Sequence, residues 1–571
     1  MRWKSVALIM FIFTGYGSAQ WEYGGKQIGY GPVGAIGLQP RLAPDGQGGV
    51  YVVWTAYRDD RPGREIILCH FDTSGAALFG EGLLITNDSL DQSMPAISPD
   101  GFWGCYVLWT DHRDFPDGRG TLYAQRITYA GQMLWGQGVR MFYTPGYAPN
   151  DSPLRGTDIY WDSILGVVGV CKLDTGYQKS ILIAQRLDGN GNRLWDSLGV
   201  VIHADSGTFG SYFRQPHLVK SENDFYCTWV NRVALDTVAI HIQKFDQNGI
   251  IYFGLTGRSV ITDNEGGSGN DQDDRAIQLL PDCQGGVVVG WLYYDLSLGP
   301  TLRADRISPS GQSLWQVNGK KLLPEERSNR WALGLHAFGE DSIPSFLAVV
   351  LGGYQANYQI VDLAGDLLLG NSGDTLSEET FFASAEHLDT LYFMQRIDNY
   401  FFGSKKDVGG SEYWPNVPYI HGWIGNYEIM ADRVGGMYIA FTLYRDFRTD
   451  WVYIQRIYPD GHFGGDTTTA AYESESLPLP ENPFNLTIYP NPFNSSALIS
   501  FDIHSPSQAK LKIYDVLGRT VDTVELGQLS VGSHSYLWDN QKPQLGIASG
   551  NYIISIEIGG QVETKPVVIL K

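Results

Sequence analysis

The stretch WTDHRDFPDGRGTLYAQRITYAGQMLWGQG, Trp109–Gly138, supports two readings. Its first half holds Asp111-His112-Arg113-Asp114, and a histidine beside carboxylates can do acid–base work near neutral pH. Its second half ends in Gly131-Gln-Met-Leu-Trp135, and that phrase returns. Gly191-Asn-Arg-Leu-Trp195 and Gly311-Gln-Ser-Leu-Trp315 repeat it, while Gly75-Ala-Ala-Leu-Phe79 and Gly249-Ile-Ile-Tyr-Phe253 keep the spacing with Phe. A second glycine follows each aromatic: Gly82, Gly138, Gly199, Gly257 and Gly319. The second reading, one copy of a building block, decides the fold.

Working outward, each phrase is preceded by a strand-like segment: Ala124-Gln-Arg-Ile127, Ala184-Gln-Arg-Leu187, Ala304-Asp-Arg-Ile307 and Ile454-Gln-Arg-Ile457. Further upstream lies another, as in Gly48-Gly-Val-Tyr-Val-Val-Trp54 and Gly104-Cys-Tyr-Val-Leu-Trp109. These follow turns such as Pro44-Asp-Gly46 and Pro99-Asp-Gly101, where Pro presets φ and Asp or Gly tolerates unusual angles. The turn glycines fall at 75, 131, 191, 249, 311, 365 and 461, so the steps are 56, 60, 58, 62, 54 and then 96, room for two shortened units. Each unit offers about four short strands, and such a sheet cannot bury both faces alone, so neighbours must stack. The expected fold is all-β: a β-propeller of about eight four-stranded blades over residues 20–465. The seventh unit, near 378–420, is irregular, which leaves seven blades as the alternative. Trp21-Glu-Tyr-Gly-Gly-Lys-Gln-Ile28 reads as a lone outer strand that completes the last blade and removes an exposed edge.

Composition agrees. Aromatics make up 13% of the 571 residues and glycines number 68, which favours strands and turns. The formal charge of −21 argues against nucleic acid as a partner, because phosphate binding needs a basic surface. Residues 1–19 read as a signal peptide: Arg2 and Lys4, an apolar run from Val6 to Phe13, then Gly17 and Ala19 before the cut. No later segment is apolar enough to cross a bilayer. Cys69, Cys105, Cys171, Cys227 and Cys283 have neither disulfide-framework nor zinc spacing and read as small buried strand residues.

The repeat resembles the propeller-like repeats of secreted bacterial proteins that carry sorting tails. Residues 466–484, DTTTAAYESESLPLPENPF, are a linker by composition. Beyond it, alternating segments such as Leu498–Ile503, Ala509–Tyr514 and Tyr552–Ile558 suggest a small β-sandwich. There the motifs Tyr489-Pro490-Asn491-Pro492-Phe493-Asn494, Ile513-Tyr-Asp-Val-Leu-Gly518-Arg519, Leu545–Tyr552 and Val567–Lys571 occur in order. Residues 485–571 are similar to the type A C-terminal sorting domain of the bacterial type IX secretion system, an Ig-like fold related to flagellar hook-capping domains. Ser495-Ser496 stands where that family commonly has Pro. The resemblance implies a route through the periplasm, an outer-membrane translocon as partner, and a cargo left on the cell surface or released.

Each candidate site competes with the repeat as an explanation of its residues. Arg58, Arg113 and Arg445 share the spacing aromatic-x-x-x-Arg-Asp, with Arg232 a partial copy. The Arg-Asp pairs are expected to close the loop between second and third strands by charge-assisted bonds. A ring of these arginines binding acidic glycans is the sharper alternative. Asp263, Glu265, Asp271, Asp273 and Asp274 lie in a Gly-rich connection and have the hard oxygens that suit calcium. The Trp and Phe of the repeated phrase are expected to pack between blades. The functional expectation is a secreted or surface protein without catalysis, whose propeller face recognises a glycan or protein ligand. The alternatives are an extracellular glycan hydrolase or lyase on the same scaffold, and a structural protein of the cell envelope.

Overall fold

A computed structural model of the chain describes residues 21, 26–28, 37–57, 63–114, 120–142, 158–162, 166–176, 179–204, 213–234, 237–263, 277–295, 299–323, 330–338, 345–352, 356–377, 380–387, 390–397, 400–407, 414, 418–421, 423–432, 434–446, 449–461, 484, 486–489, 493–494, 496–503, 507–515, 520–530, 532–539, 547, 550–558 and 561–569. Among these, regular structure is strand throughout, and no helix is long and apolar enough to cross a membrane. Two compact units divide the chain, one of them Met1–Asp162 with Gly166–Asp466, the other carrying Thr467–Lys571.

The first unit holds eight antiparallel four-stranded sheets among its described residues. Blade 1 runs Gly37–Pro44, Val50–Tyr57, Arg64–Phe71 and Leu83–Leu84, from inside to outside. The inner strands of blades 2 to 8 are Gln92–Pro99, Asp158–Trp161, Phe213–Ser221, Ile277–Pro281, Arg330–Phe338, Thr380–His387 and Trp423–Ala431. Each inner strand neighbours the next around the ring, and the last neighbours Gly37–Pro44, so the ring is closed. The irregular seventh unit is a full blade, Thr380–His387, Thr390–Ile397, Tyr400–Asp407 and Pro418–His421. The count is therefore eight rather than seven.

Blade 8 takes three strands from Trp423–Ile457 and its fourth, Lys26–Ile28, from the other end of the chain. Lys26, Gln27 and Ile28 pair with Ile454, Tyr453 and Val452. The second strands are apolar without alternation, as in Val50–Trp54, because neighbouring blades cover both of their faces. The described outer strands of blades 1, 2 and 5 have only two residues each, which leaves little unpaired edge.

In the second unit, Thr487–Tyr489, Ser496–Ile503 and Gly532–Asp539 form one sheet, and Thr520–Leu529, Ser507–Asp515, Gly550–Ile558 and Gln561–Ile569 form the other. Their inner faces meet in a core that includes Ile499, Phe501, Leu511, Ile513, Trp538 and Ile554. Phe493 is buried in this core, edge-on to Trp538 with centroids 5.9 Å apart. Its N–H donates to the Val568 carbonyl at 3.0 Å. Phe493 thus anchors the last strand of an Ig-like sandwich.

Candidate functional site

The repeated residues join blades to one another. Trp135 of blade 2 lies over the hairpin of blade 3: its Nε1 donates to the Gly189 carbonyl at 3.1 Å. A Cβ on Gly191 would meet that indole at 3.1 Å, and Gly191 has φ +83°, so only glycine fits without strain. The same contact recurs as Trp195 to Gln247 at 3.1 Å, Trp315 to Leu363 at 3.0 Å and Trp414 to Pro459 at 2.9 Å. Trp414 ends Gly410-Ser-Glu-Tyr-Trp414, a copy of the phrase disguised by Tyr in place of Leu. At the closing seam Trp21, fully buried, donates to the Thr73 carbonyl at 3.2 Å and lies against Gly75.

The arginine of the Gln-Arg phrase reaches the same carbonyls. Arg186 donates to Gln247 O at 3.1 Å and Arg306 to Leu363 O at 3.0 Å, and Arg456 reaches Thr73 O. Each is held by an aspartate from the turn after the inner strand of its own blade. The pairs are Asp100–Arg126 at 2.9 Å, Asp162–Arg186 at 2.7 Å, Asp282–Arg306 at 2.8 Å and Asp432–Arg456 at 2.7 Å. The other carboxylate oxygen caps the turn, as Asp162 does for the Gly166 N–H at 2.8 Å. Blade 1 substitutes His70, 3.0 Å from Asp45. The signal was present in the sequence as Asp-x-x-x-Gly followed by Arg 24 to 26 residues after the Asp. It is easily passed over, because a Pro-Asp-Gly turn explains itself without a distant partner.

The Asp-His-Arg-Asp cluster has a different pairing from the one expected. Arg113 pairs with buried Asp111 at 2.6 Å, not with Asp114. It also donates to Gln137 O at 3.0 Å and lies over the Tyr123 ring at 4.4 Å. Asp114 instead accepts from the Tyr123 hydroxyl at 2.9 Å and faces Arg140 at 3.4 Å. The reason is reach: Asp111 is the last residue of its strand, already accepts the Trp109 Nε1–H at 2.7 Å, and accepts the Arg113 backbone N–H at 2.9 Å. His112 is buried beside this network. Arg232 and Arg445 lie in the second strands Asp224–Ala234 and Met437–Asp446, their side chains outside the described residues, as is Arg58 altogether. Asp263 ends the strand Arg258–Asp263, while Glu265, Asp271, Asp273 and Asp274 lie outside the described residues. Among the described residues no group of three or more His, Cys, Asp or Glu is arranged to hold a metal. Of the sorting motif, Asn494 is exposed and Phe493 buried, Tyr489 ends its strand, and Pro490, Asn491, Pro492, Gly518, Arg519 and Lys571 lie outside the described residues. Four cysteines are buried free thiols, but Cys283 is exposed in a turn at φ +57°.

What the repeat does not absorb is a level of the central channel. The position four residues before the turn aspartate is Arg41, Ala96, Asp158, Gln278 and Glu428 in blades 1, 2, 3, 5 and 8. Strand register adds His217 of blade 4 and Gly334 of blade 6, which pair with Thr228 and Val349 as Arg41 pairs with Val53. The position is part of the repeat; its residue identities are not. Arg41 Nη1 meets Glu428 at 3.3 Å, with the arginine side chain 50% exposed. The other Glu428 oxygen accepts the Leu42 N–H at 3.3 Å, and Asp158 accepts the Leu218 N–H at 2.8 Å, so each acid holds the inner strand of the next blade. Burial pushes the Asp158 carboxyl up to about 6, opposed by two backbone N–H groups and by Arg41. Burial also raises Glu428, again opposed by Arg41. On blade 6, burial holds His336 neutral, at about 4. The arrangement can present the Arg41 guanidinium, flanked by carboxyls, to a solute in the channel. The offset from the turn aspartate was there to be read in the sequence, but residues as unlike as Arg41, Ala96, Asp158, Gln278 and Glu428 do not look like copies of one position.

No curated protein sequence matches the chain. Among solved structures, prolyl oligopeptidase B from Galerina marginata is similar over 72% of this chain, at 11% identity and a TM-score of 0.40. The chain spans 55% of the length of that enzyme. The β-propeller domain of the Trilobed protease from Pyrococcus furiosus is similar over 74% of this chain and 95% of its own length, at 11% identity and a TM-score of 0.35. The family described as the FlgD Ig-like domain matches residues 488–560, within the sandwich whose core is described above.

Proposed function

We propose that this is an exported, cell-surface or extracellular binding protein without catalysis, whose ligand site is the polar level of the propeller channel. The observation that carries the reading is the division of labour among polar side chains. Those repeated in sequence bond one blade to the next at the outer hairpins, whereas Arg41, Asp158, His217, Gln278 and Glu428 differ from blade to blade at one level, where Asp158 and Glu428 also hold the next inner strand. Variable residues on a rigid scaffold are where recognition resides. Export is read from the Ig-like domain and the motif residues around Phe493, with residues 485–571 addressing the type IX translocon. Two experiments test the two halves. A glycan array and a peptide array, probed with wild-type protein and with Arg41→Ala, should return a ligand whose binding the variant loses. Deleting residues 485–571 in the native host should strand the propeller in the periplasm; unchanged export would remove the sorting role.

One observation favours a second reading, a glycan hydrolase or lyase. Asp158 and Glu428 are both carboxyls held toward the neutral form, and acid–base catalysis needs such groups. Turnover of any member of a glycosidase panel that disappears in both Asp158→Asn and Glu428→Gln would favour that reading over simple binding.

A further inference from the structure

We infer that the channel level is a receptor for a single carboxylate carried on an otherwise neutral oligosaccharide, with Arg41 as the anchor; this rests on the binding reading above. Arg41 carries a planar fork of five N–H donors, and among the described residues it makes one ion pair, through one nitrogen, at 3.3 Å. Half of the side chain is open to the channel. A single long contact leaves the guanidinium able to take a carboxylate through two parallel bonds, the geometry in which Arg–carboxylate pairing is strongest. Glu428 yields its place readily, since its second oxygen stays on the Leu42 N–H when the first is displaced.

The surroundings define the rest of the ligand. At this level the neighbouring blades 6 and 7 carry only Gly334 and Ala383, so that side of the wall has no side chain larger than a methyl group, and Ala96 of blade 2 leaves a gap between Arg41 and Asp158. Gln278 and His217 supply hydrogen-bonding groups suited to hydroxyls. A net charge of −21 repels polyanions, which disfavours polyuronates and acidic peptides and leaves one carboxylate among neutral sugars as the charge the site can accept.

The test is calorimetric titration of the full chain with three probes. The first is a neutral hexose oligosaccharide ending in one glucuronate, the second the same oligosaccharide with that acid reduced to glucose, and the third an uncharged peptide with a free C-terminus. The expected result is that the glucuronate-tipped probe binds about tenfold or more tighter than its reduced form. Arg41→Ala should abolish that ratio at an unchanged melting temperature, with part of it kept by Arg41→Lys. Equal affinity for the two sugars, or a ratio that survives Arg41→Ala, overturns the inference while the binding reading stands. Tighter binding of the peptide than of the acidic sugar overturns the oligosaccharide class. Failure of every arrayed glycan and peptide to bind wild-type protein overturns the binding reading itself.

Discussion

The seam between blades 8 and 1 and the seam between blades 6 and 7 are built from the same two repeat positions and differ at both. At the first, Arg456 and Trp21 converge on the Thr73 carbonyl, and the indole covers Gly75. At the second, Ile360 stands where the other blade has Arg456, and Leu369 where the repeat has Trp or Phe. Neither side chain carries an N–H. The hairpin around Leu369 is otherwise intact, because its backbone N–H still donates to the Gln359 side chain at 3.1 Å, as the Trp135 N–H does to Gln125 at 2.8 Å. What Ile360 and Leu369 cannot supply is a side-chain N–H for a bond across the seam. The chain itself explains why this is tolerated. Blades 6 and 7 follow one another directly, Asp374–Ser377 leading into Thr380–His387, so a short link keeps them together. Blades 8 and 1 are held by a three-residue ladder and by side chains, so the closing seam needs the full set of contacts.

That contrast can be broken most directly at Trp21. Trp21→Ala should cost about 3–5 kcal/mol in urea unfolding. Leu369→Ala, at the matching place in the weaker seam, should cost less than half as much. Equal losses would mean that closure adds nothing special. Arg456→Met should cost a similar 3–5 kcal/mol, because it strands the buried Asp432 carboxylate. Adding Asp432→Asn should recover part of the loss, and a double-mutant cycle reads how much of it belongs to the pair.

A smaller effect isolates packing from backbone strain. Gly75→Ala and Gly254→Ala both place a side chain at positive φ, +87° and +72°, but only Gly75 faces a ring, 3.1 Å from Trp21. Both should lose about 1–2 kcal/mol from the left-handed backbone alone, with Gly75→Ala the worse. The comparison sharpens in the other direction with Leu369→Trp, which should add about 1 kcal/mol and slow amide exchange on the facing edges of blades 6 and 7.

Titration reads the channel level rather than a seam. The Asp158 carboxyl is raised from its usual 3.8 to about 6 in the fold, so the folded protein holds an extra proton between those values. Stability from this group is present at acid pH and declines as pH rises from about 4 to about 6. Asp158→Asn should flatten that part of the stability–pH curve, measured by urea midpoints at several pH values. A slope unchanged in the variant would place the titration elsewhere.

Much of this architecture was determined by the sequence alone. Gly131 to Trp135 and its copies set the unit length, and the lone Trp21–Ile28 segment foretold how the ring closes. Such features are legible because a repeated contact leaves a repeated spacing: Trp135, Trp195 and Trp315 each meet the same hairpin one unit on. The count of eight needed the structure, since Tyr413 and Ile360 blur the copies in the sequence. Only the tertiary structure decided that Arg113 takes Asp111, and that Arg41, Asp158 and Glu428 share one level of the channel. Their position repeats, four residues before each turn aspartate, but their identities do not, so their common role appears only when eight sheets bring their inner strands to a common axis.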